Sequence, residues 1–154
     1  MTSSARQEFV ENAGVFFERL GFSRTAGRVL GWLLTASEGS ADAPELCAEL
    51  SVAKSSMSVA LRQLENSRLI ERYRPPGERR FRFRVDDDIF GRAFHARMAD
   101  FDALTELITR GLDVVGDDPE PRARLQTMAE MYAFMGREFP KLLARWDESK
   151  RRQE

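Results

Sequence analysis

The stretch from Asp42 to Val85 constrains the fold of this chain more than any other, because helical spacing, a tight turn and strand-like alternation follow one another within it. Its first part predicts a short amphipathic helix over residues 43–50. Asp42 and Glu45 supply a D-x-x-E capping pattern, in which each side chain accepts a hydrogen bond from the other's backbone N–H. Pro44 lies in the first turn, where its missing N–H costs nothing. These two signals mark the start of the helix.

A second helix is predicted over residues 54–66, after a turn at residues 51–53. Its apolar positions recur at helical spacing and should face the core: Met57, Ala60, Leu61 and Leu64. On the polar face, small hydroxyl groups would let the helix approach base edges in a DNA major groove, and an arginine would reach guanine or a phosphate. The predicted DNA contacts of this helix are Lys54, Ser55, Ser56, Ser58 and Arg62. An ordinary solvated face is the alternative.

A hairpin is predicted after the second helix. Strand-like runs at residues 69–74 and 80–85 are joined by a Pro/Gly turn cluster at residues 75–79. In the second run the side chains alternate strictly, with Phe81, Phe83 and Val85 on one side and Arg80, Arg82 and Arg84 on the other. The first run alternates poorly, so its register stays open. Two helices joined by a tight turn and followed by such a hairpin are the layout of a winged helix-turn-helix.

The basic charge of the chain is concentrated in this hairpin. The 154 residues carry a formal net charge of -1, yet residues 68–84 hold seven arginines and two glutamates. A solvated edge strand would also favour charge, but it would need neither arginine nor a single sign. Arginine suits phosphate because its planar fork binds two oxygens at once. We therefore predict that Arg79, Arg80 and Arg82 contact nucleic acid.

Helices are predicted on both sides of this unit, over about residues 4–20, 24–36, 89–115 and from about residue 122 onward, with a loop at residues 35–41. Ser23 is the expected N-cap of the second helix of the chain. Pro140 should either kink the last helix or end it near Phe139, because proline removes a backbone hydrogen bond.

The fold class that follows is mostly α with a small β-wing, a winged helix-turn-helix flanked by dimerisation helices. The predicted domains are an N-terminal dimerisation helix at 1–22, a winged DNA-binding domain at 23–85 and a C-terminal helical dimerisation region at 86–154.

The apolar stripes of the flanking helices predict a homodimer. In the last helix, apolar residues recur alternately three and four apart, which is typical of a helix that packs lengthwise on others. A small winged unit needs to bury only part of this surface. A second copy is the simplest partner, and two-fold symmetry would place paired recognition helices one DNA turn apart, roughly 34–36 Å. The alternative is that these helices fold back onto their own winged domain.

The residue types for catalysis or metal binding are too few and too scattered to predict an enzyme. His95 and Cys47 are the only histidine and cysteine, and no zinc spacing or phosphate-binding glycine loop is present. Asp86, Asp87 and Asp88 are adjacent and point in different directions, so they are expected to cap the long helix rather than hold a metal. We expect no catalytic residue, no metal and no cofactor.

The chain is expected to be cytoplasmic, without a membrane partner. Its N-terminus is polar, its longest apolar run, Val29–Leu34, is too short to span a bilayer, and its single cysteine cannot form an internal disulfide.

A small-molecule effector site is also predicted. The aromatic residues that would line it are Trp32, Phe81, Phe83, Phe90 and Phe94, and such a cavity would accept an apolar or aromatic molecule. Packing in the core is the more common role of such residues.

The order of these elements resembles the MarR superfamily of bacterial transcriptional regulators over essentially the whole chain. Residues 9–18 and 23–34, with the run T-A-G-R-V-L-G-W-L-L, look like its GbsR-like branch. Residues 55–65 are similar to the recognition helix of the family, and residues 77–80 to its wing tip, where a basic residue enters the minor groove. The resemblance implies a homodimeric DNA-binding regulator, often a repressor of a transport or efflux operon that a small molecule releases. One departure is Ala53, where many such helices carry a Ser or Thr cap.

A sequence-specific regulator of transcription that binds double-stranded DNA is therefore the leading hypothesis. Two other functions stay open on the residues alone. The hairpin would also suit a winged-helix protein-interaction module that binds an acidic partner, or an RNA binder. Mixing the protein with the DNA upstream of its own gene would discriminate these functions.

Overall fold

The computed structural model describes residues 3–85 and 87–153 of the chain, which divides into two compact units, Met1–Phe90 and Gly91–Glu154. Most of the described residues are helical, and three short strands form one antiparallel sheet. The predicted fold class, mostly α with a small β-wing, is confirmed.

In the first unit, α1 (Ser3–Arg19) packs closely along α2 (Arg24–Thr35). A Cβ atom built on Gly27 would lie 2.8 Å from the Cα atom of Gly14, and one built on Gly31 would meet α1 at the same distance. A side chain at either position would push the helices apart, so the small residues of α2 permit this approach. The N-terminal helix, predicted as a separate segment, thus belongs to the same unit as the winged part.

Hydrogen bonds fix α2 at its start and along one side. Ser23 is its N-cap, as predicted, because the Oγ atom accepts a hydrogen bond from the backbone N–H of Ala26 at 3.1 Å. Arg28 donates to the Oε1 atom of Glu11 at 2.8 Å and to the backbone carbonyl of Leu50 at 3.0 Å. This arginine therefore connects α1 and α2 to the end of the next helix.

The helix-turn-helix consists of α3 (Ala43–Leu50) and α4 (Lys54–Asn66), with the bounds that the sequence predicts. The capping box is complete: the N–H of Glu45 donates to Oδ1 of Asp42 at 2.8 Å, and the N–H of Asp42 donates to Oε2 of Glu45 at 2.7 Å. Ala53 is the N-cap of α4 and offers no side-chain hydrogen bond. The apolar face of α4 is buried as predicted, at Met57, Ala60, Leu61 and Leu64.

The sheet consists of β1 (Ser40–Asp42), β2 (Glu71–Tyr73) and β3 (Arg82–Arg84), with β3 in the centre. The middle residue of β3 pairs with Ala41 on one side and with Arg72 on the other. Both pairings are antiparallel, so β3 holds the wing to the helix-turn-helix.

The expectation of a loop over residues 35–41 is wrong at its last two residues, which belong to β1. A three-residue strand shows too little alternation to be recognised from the sequence. It forms because it pairs with β3, which lies far along the chain.

In the second unit, α5 (Ile89–Val115) and α6 (Pro119–Arg151) pack against each other as an antiparallel pair. The ring centroid of Phe101 lies 5.8 Å from that of Tyr132 and 5.6 Å from that of Phe139. The bounds of α5 match the prediction, and its first two residues fall in the first unit. No helix within the described ranges is both long enough and apolar enough to cross a lipid bilayer.

α6 is continuous through Pro140, so of the two predicted alternatives the one in which the helix ends near Phe139 is excluded. It also begins before the expected start near Arg122. Proline removes one backbone hydrogen bond, but apolar contacts hold the helix on both sides of it. Tyr132 packs on α5 before the proline, and Leu143 is buried after it.

Candidate nucleic-acid interface

The side of α4 opposite its buried face is open to solvent. The predicted contacts on this helix are all exposed: Lys54, Ser55, Ser56, Ser58 and Arg62. Because successive helical residues are rotated by about 100°, the outermost strip of α4 is formed by Ser55, Val59, Arg62 and Asn66. Lys54 and Ser58 lie on one flank of this strip and Ser56 on the other. The predicted residues therefore share the open side of the helix, but only two of them lie on its outermost strip.

Val59 and Asn66 were not among the predicted contacts. Both could have been found by placing every residue of α4 on a helical wheel opposite the four buried positions. The residue type alone gave no signal for Val59, because an isolated valine is more common in a core than on a binding surface.

The Ser56 flank of α4 is joined to the start of α2. The Oε1 atom of Gln63 accepts a hydrogen bond from the backbone N–H of Ser23 at 2.8 Å. This bond ties α4 to the body of the first unit, so a large partner would approach from the outermost strip or from the opposite flank.

On that opposite flank, α3, α4 and the sheet border a hollow of about 530 Å³. Met57 and Phe83 supply apolar walls, and three cations also line it: Lys54, Arg62 and Arg72. Arg72 was not among the predicted contacts. It comes close to α4 only because the sheet packs beside the helix, a relation that the poor alternation of the first strand did not reveal.

Arg80 is exposed but held by an ion pair. Its Nη1 atom donates to Oδ2 of Asp42 at 3.2 Å, and its side chain is 69% exposed whereas that of Asp42 is 10% exposed. The other oxygen of Asp42 caps α3. One carboxylate therefore fixes both the start of the helix-turn-helix and the position of a predicted DNA contact.

Arg82 is directed toward α3 and β1. Its guanidinium lies 3.4 Å from Oε2 of Glu45 and 3.8 Å from Oε2 of Glu38, it donates to the carbonyl of Ser40 at 3.3 Å, and its side chain is only 17% exposed. Desolvation by burial would lower the pKa of Arg82, but the carboxylate of Glu45 together with Tyr73 and Glu78 outweighs it, so the pKa is raised and the group stays charged. This placement argues against direct contact between Arg82 and DNA.

Two arginines of β2 and its following turn enclose an aromatic ring. The guanidinium carbons of Arg72 and Arg74 lie 3.7 Å and 4.3 Å from the ring centroid of Phe81. Such cation–π contacts hold the guanidinium groups in place while their outer edges stay in solvent. Both arginines are exposed, so Phe81 positions two cations that were not among the predicted contacts.

The remaining arginines of the hairpin differ in their surroundings. Arg84 pairs with Glu71 at 2.9 Å and lies over the ring of Tyr73. Arg79 is exposed at the turn, and no ion pair to it is present among residues 3–85 and 87–153. Arg68 is exposed and has a positive φ of 55°. The positive charge of the wing that is not neutralised by an ion pair among the described residues is therefore concentrated at its tip and on β2.

The aromatic residues of the predicted effector site have separate surroundings. Trp32 lies under the guanidinium of Arg6 and lines two polar hollows of about 200 and 300 Å³. Phe83 is buried in the sheet and lines the hollow beside α4. Phe90 of the first unit and Phe94 of the second are both exposed. None of these hollows contains more than one of the five aromatic residues, and the effector site stays a prediction.

Metal-binding groupings are not found in the part of the chain that the structure describes. No cluster of three or more His, Cys, Asp or Glu side chains there could hold a metal ion. Cys47 is a half-buried free thiol, and Nε2 of His95 lies 3.6 Å from Oδ2 of Asp147 on the surface of the helical pair. Asp86, one of the three adjacent aspartates, lies outside the described residues.

Comparisons with known proteins match both parts of the chain. Residues 20–80 match the MarR family, and residues 88–150 match the MmpR5-like MarR family transcriptional regulators. The HTH-type transcriptional regulator MmpR5 of Mycobacterium tuberculosis (strain ATCC 25618 / H37Rv) is 35% identical over 129 residues, which cover 83% of this chain and 78% of that protein. The crystal structure of a transcriptional regulator, 32% identical, covers 94% of this chain and 99% of its own with a TM-score of 0.86.

The chain belongs to the MarR family of transcriptional regulators. This is a class of winged-helix DNA-binding proteins that are not enzymes. Within the family, the chain is similar to the MmpR5-like group, and the GbsR-like branch that the sequence suggested is not confirmed.

Proposed function

We propose that this chain is a homodimeric repressor that binds an inverted repeat in double-stranded DNA. Each copy would insert α4 into the major groove and carry Arg79 at the wing tip into the adjacent minor groove. The observation that carries the proposal is the open strip of α4 beside a hairpin whose exposed arginines lie at the tip and on β2.

The exposed cations around α4 would supply most of the affinity. Lys54, Arg62, Arg72 and Arg74 are exposed, and the last two are pre-positioned by their contacts with Phe81. Cations at such positions neutralise phosphates and release counterions, which drives binding to any duplex. Arg80 would add to this group, because its pair with Asp42 leaves most of the guanidinium in solvent.

The outermost strip of α4 would supply the sequence preference. Ser55 and Asn66 carry groups that donate and accept hydrogen bonds, and Arg62 can bind guanine through two nitrogens. Arg82 would make no direct DNA contact, because its guanidinium pairs with Glu45 and Glu38.

Exposed apolar surface on both units supports a homodimer. In the first unit, Phe9 and Phe16 of α1 are exposed, and so is Leu20, which directly follows this helix. In the second unit, α6 exposes a second apolar stripe beside the one that packs on α5: Met128, Met131, Phe134, Leu142 and Trp146. Contiguous apolar patches of this kind mark interaction surfaces, and a second copy would bury the same patch on both partners.

Release by a small apolar or aromatic effector is part of the proposal, and so is the finer relationship to the GbsR-like branch. The effector would bind among the predicted aromatic residues, for example at Trp32, and it would lower DNA affinity by favouring a different arrangement of the two recognition helices.

The proposal is tested with the DNA between this gene and its neighbour. Purified protein should shift that duplex at nanomolar to micromolar concentration, and scrambling one half of the inverted repeat should weaken the shift at least tenfold. Sedimentation should show a dimer at the same concentration. Equal binding to intact and scrambled DNA, or a monomer that still binds tightly, would reject the proposed mode.

A further inference from the structure

We infer that Val59 recognises the 5-methyl group of a thymine in each half of the DNA site. This inference deepens the proposed function and rests on it, because it requires α4 to enter the major groove. It assigns a specificity-determining role to a residue that carries no polar group. The thymine would lie next to the base pair that Arg62 contacts.

Val59 is exposed on the recognition helix α4. Its side chain is 54% exposed, although the buried face of α4 is complete without it. Valine is also a poor choice for an open helical position, because its branched side chain loses freedom there and adds nothing to the core. A single exposed apolar residue is ordinary on a protein surface, but this one lies among the residues of α4 that would face DNA.

Val59 lies on the outermost strip of α4, one turn after Ser55 and just under one turn before Arg62. Any surface that these two polar side chains approach must also come close to the valine between them. Ser55 and Arg62 are both exposed and carry groups suited to base edges. Val59 therefore meets the floor of the groove rather than its phosphate walls.

The major groove of B-form DNA contains one apolar group, the C5-methyl of thymine. Apart from the C5–H of cytosine, which is shorter than the methyl group, the other atoms at its base edges are hydrogen-bond donors and acceptors, which would lose water without compensation against a valine. Val59 presents two methyl groups with a restricted χ1 angle, so its apolar surface has a defined direction. A T·A pair is consequently favoured over the other three pairs at this position.

The test begins with selection of preferred duplexes from a randomised pool by the wild-type homodimer. Each thymine of the selected site is then replaced by deoxyuridine, which removes only the methyl group. Affinities are measured for the wild type and for Val59→Ala, with Val114→Ala as the matched control. Val114 is 86% exposed on α5 and lies outside the recognition helix. Thermal unfolding checks that both variants are folded.

Removing the methyl group of one particular thymine in each half-site should lower the affinity of the wild type, and of Val114→Ala, for the duplex about fourfold. The same replacement should leave the affinity of Val59→Ala unchanged. A new selection with Val59→Ala should lose the preference for T at that position and keep the others. If deoxyuridine lowered the duplex affinity of the wild type and of Val59→Ala equally, this inference would be overturned and the proposed function would stand. Failure of the wild type to select any duplex would overturn both.

Discussion

The two units of the chain differ in how completely they bury their large apolar side chains. In the first, large side chains are fully enclosed: Leu30, Leu33, Leu46, Met57 and Leu64. In the second, the buried hydrophobic residues among those described are Ile108 and Leu143, while Met131 is 57% exposed and Leu142 is 58% exposed. The first unit therefore completes its core within one chain. The second is a pair of helices that leaves several large apolar side chains exposed within one chain, and the proposed second copy would cover them.

The largest expected effect tests the enclosed core. Leu64→Ala should lower the free energy of unfolding by about 2–5 kcal/mol, because it leaves a cavity among fully buried neighbours. Leu107→Ala, at the most exposed leucine of α5, should change it by less than about 0.5 kcal/mol. Denaturant unfolding followed by circular dichroism measures both. Equal losses of unfolding free energy in the two variants would contradict this difference between the units.

The next effect concerns the exposed stripe of α6. Met131→Glu should raise the dissociation constant of the dimer more than tenfold, because a carboxylate would be moved out of water at the interface. Ala133→Glu introduces the same charge on another side of α6, where the residue is also exposed, and should leave the dimer intact. Analytical ultracentrifugation over a range of concentrations separates the two results. Dimers of equal stability would show that this stripe does not join two copies.

A smaller effect is expected where polar groups hold the first unit together. Asp42→Ala removes the cap of α3 and the partner of Arg80, and should cost about 1–2 kcal/mol of unfolding free energy. Asp42→Asn keeps an oxygen for the cap and removes only the charge. Because Arg80 is largely exposed, Asp42→Asn should cost less than about 1 kcal/mol. If the two variants were equally unstable, the ion pair rather than the cap would dominate.

The smallest effect is a gain in the first unit. Ala53 provides no side-chain hydrogen bond at the start of α4. Ala53→Ser should stabilise the protein by about 0.5–2 kcal/mol, because a serine oxygen can accept a hydrogen bond from an N–H of the first turn. The change appears as a higher midpoint of thermal unfolding. A midpoint no higher than that of the wild type would contradict this account of the missing cap.

The sequence predicted best those elements that local signals define. The capping box at Asp42, the four apolar positions of α4 and the stripe of α5 each lie within a few turns of chain, and the bounds of all three helices agree with the prediction. Elements that depend on distant partners were missed or misjudged. β1 exists because it pairs with β3, and α6 continues through Pro140 because its flanking residues pack on α5 or are buried.

In the candidate interface, too, local sequence signals predicted some features, whereas others depend on distant parts of the chain. The exposure of Arg62 and of the serines on α4 follows from helical spacing, so the sequence alone was sufficient. The direction of Arg82 was not predictable, because alternation along a strand says which face a side chain occupies but not which carboxylate it meets. Glu38 and Glu45 reach Arg82 only through the pairing of β1 with β3. The pairing of Arg72 and Arg74 with Phe81 likewise requires the folded hairpin.

The salt dependence of duplex binding tests the central claim most directly. The logarithm of the binding constant of the wild-type dimer for its upstream DNA should fall with the logarithm of salt concentration with a slope of about -7, as expected for about eight neutralised phosphates. Arg79→Ala should make the slope shallower by about 1–2 units, and Arg110→Ala, at an exposed arginine of α5, should leave it unchanged. Binding that is insensitive to salt, or an equal slope for wild type and Arg79→Ala, would contradict the account.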